Sequence, residues 1–279
     1  MKKYLSYTLI LTFLLFAFFI FNMNVSGEEK TEPAKTEEKK ETPKPRSLEK
    51  FTVSTEDDII LVGQFMQADT PAKPTIILIP QLGQDMTTYQ KLLPKLTEKG
   101  YGICLYDPRG HGQSIKNKKG DTITFRKFHP EGKNNDWNKM KNDLGLVINF
   151  LKKEKSVNGD NLKLIGASIG ANIVLNYAAE HSEIKTIILL SPGMTYHDVN
   201  IKDSLLKCTG KNVLAVATKN DTYSADTCRE IKRAILAEQA RQGLSEKENI
   251  KYFELPGSNH GTYMLDPDVI KEILDWLKM

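Results

Sequence analysis

Hydrophobic residues divide the chain into three regions of different character. Residues 4–23 form a nearly unbroken apolar run after Lys2 and Lys3, whereas residues 28–47 consist almost entirely of Glu, Lys, Thr and Pro. From about residue 48 to residue 279, short apolar runs alternate with segments in which apolar residues recur every three or four positions. These patterns are typical of an export signal, a disordered tether and a folded domain of strands and helices, respectively.

The N-terminal apolar run has two interpretations. Small residues at positions 25–27 favour cleavage, in which case residues 1–27 are a signal peptide. The run is also about 20 residues long, which is enough to span a bilayer and attach the protein to a membrane through residues 4–23. Both interpretations predict an exported protein, either secreted or held in the cell envelope, with residues 28–47 as an extended tether.

The alternation from residue 48 onward predicts the folded domain, residues 48–279. We expect an α/β fold with a doubly wound, mostly parallel sheet that helices cover on both faces. Strands are predicted at 51–55, 59–65, 75–80, 101–106, 162–165, 186–190, 212–217 and 250–255, and helices at 87–99, 136–153, 169–178 and 266–278. Pro94 is expected to kink or limit the first of these helices.

A serine lies at the centre of the domain's most informative motif. Gly166-Ala167-Ser168-Ile169-Gly170 stands between a predicted buried strand and a predicted amphipathic helix. A turn this sharp strains the serine backbone, and larger residues at the two glycine positions would clash. The following helix N-terminus supplies an N–H and positive potential where an oxyanion would form. In this context the G-x-S-x-G pattern, which is weak alone, predicts that Ser168 is a nucleophile.

Two further polar residues complete a candidate catalytic triad. A serine hydroxyl is a poor nucleophile near neutral pH, so it needs a base, and the base needs an orienting acid. Asp221 follows the strand at 212–217 and His260 follows the strand at 250–255. The carboxyl ends of parallel strands share one edge of the sheet, so we expect Ser168, Asp221 and His260 to lie together.

Other acids and histidines compete for these roles. His111 lies in the loop Asp107 to Ser114, where we expect it to shape the loop rather than act as the base. Asp266 and Asp268 stand at the start of the last predicted helix, where N-capping explains them.

These motifs resemble those of the α/β hydrolases with a small or absent lid, such as serine esterases, lysophospholipases and dienelactone-hydrolase-like enzymes. The resemblance covers residues 48–279 and rests on Gly166–Gly170, Asp107-Pro108-Arg109-Gly110-His111-Gly112-Gln113-Ser114, Asn220-Asp221 and Asn259-His260-Gly261. It implies an α/β-hydrolase fold and hydrolysis of esters, thioesters or amides through an acyl-enzyme, without a metal or other cofactor. Because position 168 is serine, the thiolate nucleophile of true dienelactone hydrolases is absent.

The resemblance also implies an oxyanion hole made of backbone N–H groups. We expect one N–H from Ile169 and the other from the loop after the strand at 75–80, where many family members carry His-Gly. This chain has Pro80-Gln81-Leu82-Gly83 there, and Leu82 is preferred to Gln81 as the donor. Because this loop departs from the His-Gly of many family members, the resemblance does not specify its shape or the fit of the substrate.

The substrate pocket is expected to be open, because family members set specificity with a cap that is short here, at residues 191–211. Gln81, Met194 and Tyr196 are candidate pocket residues, although Met194 and Tyr196 would equally serve to fill the core.

Composition adds two further expectations. The net charge is +4 and no basic tract interleaves with aromatic residues, which argues against a nucleic-acid partner. Cys104 lies in a predicted buried strand, whereas Cys208 and Cys228 flank the strand at 212–217 and form a candidate disulfide of an exported protein.

The sequence therefore predicts an exported serine hydrolase that acts on a small-molecule or lipid-like carboxylic ester. A peptidase, amidase or thioesterase would use the same triad. A non-catalytic surface protein that uses the fold for binding is the alternative of another class.

Overall fold

The computed structural model describes residues 46–129, 131–244 and 249–279. The predicted signal or anchor at 1–27, and all but the last two residues of the predicted tether at 28–47, lie outside the described residues. Over the described ranges, no helix combines the length and the apolar character needed to cross a membrane.

Strands and helices alternate along most of the described chain. The strands are β1 (Glu49–Ser54), β2 (Ile59–Met66), β3 (Thr75–Ile79), β4 (Gly102–Tyr106), β5 (Lys116–Asn117), β6 (Leu162–Ala167), β7 (Thr186–Leu190), β8 (Thr195–Tyr196), β9 (Val199–Asn200), β10 (Asn212–Thr218) and β11 (Ile250–Leu255). The helices are α1 (Leu93–Glu98), α2 (Asp136–Glu154), α3 (Ile169–Glu180), α4 (Lys202–Leu205), α5 (Thr222–Arg241) and α6 (Pro267–Trp276).

The main sheet has the strand order β1-β2-β4-β3-β6-β7-β10-β11, and β5 pairs with β2. Strand β2 is antiparallel to β1, β4 and β5. The six strands β4, β3, β6, β7, β10 and β11 run parallel to one another. The prediction of a mostly parallel sheet is thus confirmed. After β3 the chain continues into β4 on one side, and β6 pairs with β3 on the other. A reversal of this kind opens a crevice at the carboxyl ends of the strands.

Helices cover both faces of the sheet, which explains why its central strands are mostly apolar. In β3, Ile77 and Ile79 pack with side chains of α2 and α3. The alternate residues Ile76 and Leu78 pack with side chains of α1 and α6. Successive side chains of a strand point to opposite faces, so a strand buried on both faces is apolar at nearly every position. In β3 the one polar residue is Thr75, at its start.

Pro94 divides the first predicted helix, as expected. A 3₁₀ turn at Met86–Tyr89 is followed by α1, with Pro94 in its first turn. A proline in the first turn breaks no intrahelical hydrogen bond, because the N–H it lacks would have no acceptor there.

The short segment at 191–211 forms a small β-hairpin, β8–β9, followed by α4. His197 and Asp198 connect the two strands with φ values of +48° and +62°. Positive φ at both central residues matches the twist of paired strands in a two-residue hairpin. The prediction of a minimal cap is confirmed.

The candidate disulfide is not formed, since Cys104, Cys208 and Cys228 are all free and buried. Cys208 packs in the large hydrophobic cluster beside α2 and α3, whereas Cys228 packs in a separate cluster with Ala215 and Ala217. Burial raises the pKa of Cys208 to about 11, which keeps it a thiol near neutral pH.

A buried ion pair fixes the loop after β4 to α2. The Arg109 guanidinium donates from Nε and Nη2 to the two carboxylate oxygens of Asp143, at 2.6 and 2.7 Å. It also donates from Nη1 to Asp57, at 2.9 Å. Arg109 is 2% exposed and Asp143 is 1% exposed, so neither charge would be solvated if its partner were removed.

We predict that Arg109→Leu lowers the free energy of unfolding by about 3–5 kcal/mol, because it leaves the Asp143 carboxylate buried and unpaired. Urea unfolding of the purified protein measures this loss. Arg233→Leu is the control, because Arg233 forms an exposed pair with Glu230. A loss for Arg109→Leu no larger than for Arg233→Leu would show that the buried pair is unimportant.

Candidate active site

Ser168 lies in a strained turn between β6 and α3. Its φ and ψ are +52° and −121°, and its N–H donates to the Leu190 carbonyl at the end of β7, at 2.7 Å. Residues other than glycine avoid positive φ, and such strain costs about 1–3 kcal/mol unless the surroundings impose it. The predicted strain at the serine is therefore present.

The two flanking glycines are required by close backbone contacts. A methyl group on Gly166 would lie 2.2 Å from the Gly170 carbonyl oxygen. A methyl group on Gly170 would lie 2.6 Å from the Ile79 oxygen and 2.7 Å from the Pro80 oxygen. The second contact also brings the N-terminus of α3 against the end of β3, where the expected oxyanion loop begins.

Asp221 and His260 form a hydrogen-bonded pair at the same edge of the sheet. His260 Nδ1 lies 2.7 Å from Asp221 Oδ2. Asp221 is the N-cap residue of α5, yet its side chain makes no capping bond, which leaves the carboxylate to the histidine. Because Nδ1 is engaged, Nε2 is the nitrogen left for a nucleophile.

Ser168 follows β6 and His260 follows β11, and β7 and β10 lie between these two strands in the sheet. For the described residues, no hydrogen bond joins the Ser168 hydroxyl to the imidazole. Such bonds commonly tighten only when substrate binds, so this geometry is compatible with a resting triad.

Residues on either side of His260 are held by neighbouring strand ends. The Thr218 hydroxyl donates to the Asn259 carbonyl at 2.8 Å. The Gly261 N–H donates to the Ser191 hydroxyl oxygen at 2.9 Å. Together these contacts anchor the histidine loop to the ends of β10 and β7.

The two backbone N–H groups expected to form the oxyanion hole have no acceptor among the described residues. The Gln84 N–H donates to the Gln81 carbonyl at 3.1 Å, which closes a turn with Gly83 at φ +75°. This turn leaves the Leu82 N–H without an acceptor among the described residues. Ile169 is the first residue of α3, where an N–H has no partner within the helix. The structure thus leaves both predicted donors available.

Tyr196 brings the small hairpin to the triad. Its hydroxyl donates toward the Ser191 carbonyl at 3.4 Å and lies 3.3 Å from the Ser224 hydroxyl. Its ring stands edge-on to the His260 ring, with 6.4 Å between centroids. Burial raises the pKa of Tyr196 to about 12, although the hydrogen bond with Ser224 opposes this rise, so the phenol stays protonated near neutral pH.

The other two candidate pocket residues are placed differently. Met194 is half-buried and packs against the main hydrophobic cluster, as its alternative role in the core required. Gln81 is 4% exposed, and its side chain faces the loop that carries His260 rather than solvent.

The sequence analysis missed several residues of the site. Tyr223 and Tyr263 leave much of their aromatic side chains exposed at this edge of the sheet. Ser191 contacts the histidine loop, and Thr262 lies in that loop and contacts Gln81. Their positions in the sequence could have indicated them, because each of these residues lies within three positions of a candidate residue or a strand end.

The competing residues have other partners. His111 Nδ1 lies 2.9 Å from the Arg109 carbonyl, and its ring stacks on Phe125 at 4.4 Å between centroids, which confirms a structural role in its loop. Burial lowers the pKa of His111. The Asp266 carboxylate accepts from Val269 N at 2.9 Å and caps α6 as predicted, and Asp268 lies in the first turn of that helix.

Residues 70–241 match the family model described as serine aminopeptidase, S33. The chain belongs to this S33 family of α/β hydrolases. The matched segment contains Ser168 and Asp221 and ends before His260, so the position of the histidine rests on the geometry above. No curated protein matches the sequence.

Solved structures share the fold of this S33 family member at low sequence identity. An esterase from Pyrococcus furiosus has a TM-score of 0.64 at 15% identity, with 84% of this chain and 91% of the esterase covered. Dienelactone hydrolase from Anabaena variabilis has a TM-score of 0.62 at 13% identity, covering 84% and 97%. The α/β hydrolase GrgF from Penicillium has a TM-score of 0.60 at 17% identity, covering 84% and 98%.

We predict that Gly170→Ala destabilises the protein by about 1–3 kcal/mol, because the added methyl group has no space beside Ile79 and Pro80. It should also lower any hydrolytic activity, since α3 must move away from the end of β3. Thermal unfolding and ester turnover measure the two effects. Gly210→Ala is the matched control, because no atom lies within 4 Å of its new methyl group. Equal behaviour of the two variants would contradict the steric argument.

Proposed function

We propose that the protein is an exported serine hydrolase that cleaves carboxylic esters through an acyl-enzyme on Ser168. The observation that carries the proposal is the 2.7 Å bond between His260 and Asp221, beside a serine held at positive φ. Export is supported only by the sequence of residues 1–27.

In the proposed acylation step, the Ser168 oxygen attacks the carbonyl carbon of the ester while His260 Nε2 accepts the hydroxyl proton. The carbonyl oxygen becomes an oxyanion that the N–H groups of Ile169 and Leu82 stabilise. Asp221 stabilises the imidazolium and holds its tautomer. The bond to the leaving alcohol then breaks, and His260 returns the proton to the alcohol oxygen.

In the proposed deacylation step, His260 removes a proton from water and the hydroxide attacks the acyl carbon. The ester bond to Ser168 breaks, and His260 gives the proton back to the serine oxygen. The acid leaves and the resting enzyme is restored, so the reaction consumes one water per ester without a metal or a cofactor.

The exposed apolar residues Leu82, Tyr223 and Tyr263 support a substrate with a hydrophobic acyl group. Leu82 adjoins the expected oxyanion donor, Tyr223 is two residues after Asp221, and Tyr263 is three residues after His260. A small or lipid-like ester would cover this apolar surface and remove it from water.

Amide or peptide cleavage is the second candidate, because the matching family model is described as a serine aminopeptidase. The same triad serves both reactions. Cleavage of an amide makes a stronger demand on His260, which must protonate a poor leaving group during bond breaking.

We predict that Ser168→Ala and Asp221→Asn each lower kcat for p-nitrophenyl esters by about 10⁴-fold or more, as loss of one triad member does in other serine hydrolases. Asp266→Asn is the matched control for the acid, because asparagine also caps a helix and Asp266 does not contact the histidine. Full activity of Asp221→Asn, or a loss of activity in Asp266→Asn, would contradict the assigned triad.

A second comparison tests the substrate class. Esters with acyl chains of increasing length and p-nitroanilides of the same acids are compared by kcat/KM with the purified protein. The proposal predicts higher kcat/KM for the esters and a rise with chain length, because longer chains cover more of the apolar rim. Preference for the anilides would favour the amidase alternative.

A further inference from the structure

The side chain of Gln81 connects two loops that the proposed mechanism uses for different purposes. Its Oε1 accepts a hydrogen bond from the Thr262 hydroxyl at 2.9 Å and a longer one from the Thr262 N–H at 3.3 Å. Gln81 immediately precedes Leu82, the expected oxyanion donor, and Thr262 follows His260 by two residues. The contact therefore joins the oxyanion loop to the histidine loop across 181 positions of sequence.

The Gln81 backbone also shapes the oxyanion loop. Its carbonyl accepts the Gln84 N–H that closes the turn and leaves the Leu82 N–H unpaired. One residue thus contacts both parts of the site: its carbonyl fixes the turn around Leu82, and its amide holds Thr262.

Close packing immobilises the Gln81 amide. A methyl group on Gly261 would lie 3.0 Å from the amide carbon and oxygen of Gln81, and Gly261 has φ +59°. Glycine is the residue that tolerates both this conformation and this contact. The Thr262 hydroxyl also forms a hydrogen bond with the Thr88 hydroxyl.

Burial of the Gln81 amide has an energetic cost, which arises from its amide nitrogen. Gln81 is 4% exposed, and its Nε2 is a buried donor without a hydrogen-bond partner among the described residues. An unpaired buried donor is unfavourable, and an apolar side chain of similar length would avoid it. A contribution of the Oε1 contact to function would explain why an amide occupies this position.

We propose that Gln81 is a positioning residue that sets the distance between the Leu82 N–H and the His260 imidazole. The proposal rests on the proposed function, since it assigns these two groups to the oxyanion and the proton. In the same transition state, His260 accepts the serine proton and the Leu82 N–H stabilises the developing oxyanion. A small change in the spacing of the two loops therefore slows the chemical step.

The test is a double-mutant cycle on the full-length protein with p-nitrophenyl butyrate as the probe. Gln81→Met keeps the length of the side chain and removes the acceptor, whereas Thr262→Val keeps the shape and removes the hydroxyl. We expect Gln81→Met to lower kcat by about 10-fold to 100-fold with KM changed less than about twofold. Thr262→Val should lose less, because its N–H still donates to Gln81.

The double variant distinguishes positioning from general damage. Both substitutions remove the Gln81–Thr262 contact, and Thr262→Val also removes the contact with the Thr88 hydroxyl. The loss in the double variant should therefore be smaller than the product of the two single losses. Gln90→Met is the matched control, since it makes the same change at an exposed side chain without a described hydrogen bond, outside the oxyanion turn, and it should keep wild-type kcat.

Three results would overturn the proposal: equal kcat for Gln81→Met and Gln90→Met, a double variant whose loss is the product of the single losses, or an effect confined to KM. If Gln81→Met does not fold, Thr262→Val measured against Gln90→Met decides, and unchanged kcat again overturns the proposal. Failure of the proposed function is distinct, because the wild type itself would then show no Ser168-dependent ester turnover.

Discussion

The close approach of α3 to the ends of β6 and β3 is the constraint on which the rest of the site depends. Gly166 meets the carbonyl of Gly170, and Gly170 in turn meets the carbonyls of Ile79 and Pro80. These contacts leave no room for a relaxed turn, so Ser168 is held at φ +52°. The same approach brings the first N–H of α3 beside the loop that carries Leu82. One packing contact thus positions the proposed nucleophile and both proposed oxyanion donors.

The parallel sheet supplies the remaining groups at the same edge. Asp221 and His260 follow the neighbouring strands β10 and β11, whose parallel pairing places their carboxyl ends side by side. The hairpin β8–β9 then brings Tyr196 against the His260 ring. Arg109 lies in the loop after β4 and Asp143 lies in helix α2. Their buried ion pair stabilises the scaffold rather than the reacting groups. The stabilising ion pair and the proposed catalytic residues therefore lie in different loops at the same edge of the sheet.

Local pattern predicted most of the fold because burial on both faces makes a strand such as β3 apolar at four of its five positions. Helix α2 was predicted within one residue of its observed end, since its apolar residues repeat with the helical period. The G-x-S-x-G turn and the residues after β10 and β11 were predicted from chemistry tied to strand ends. Contacts between distant segments were not predictable: the Gln81–Thr262 bond spans 181 positions, and Cys208 and Cys228 lie in separate clusters. Periodicity carries no information about which distant side chains meet.

The central claim is that Ser168 is an activated nucleophile, and reaction with a fluorophosphonate tests it most directly. Wild-type protein and Ser168→Ala are treated with the probe, and the intact mass of each is measured after circular dichroism shows that both are folded. The account predicts that wild type gains the mass of one phosphonyl group and that Ser168→Ala gains none. An unlabelled, folded wild type, or equal labelling of the two proteins, would contradict it.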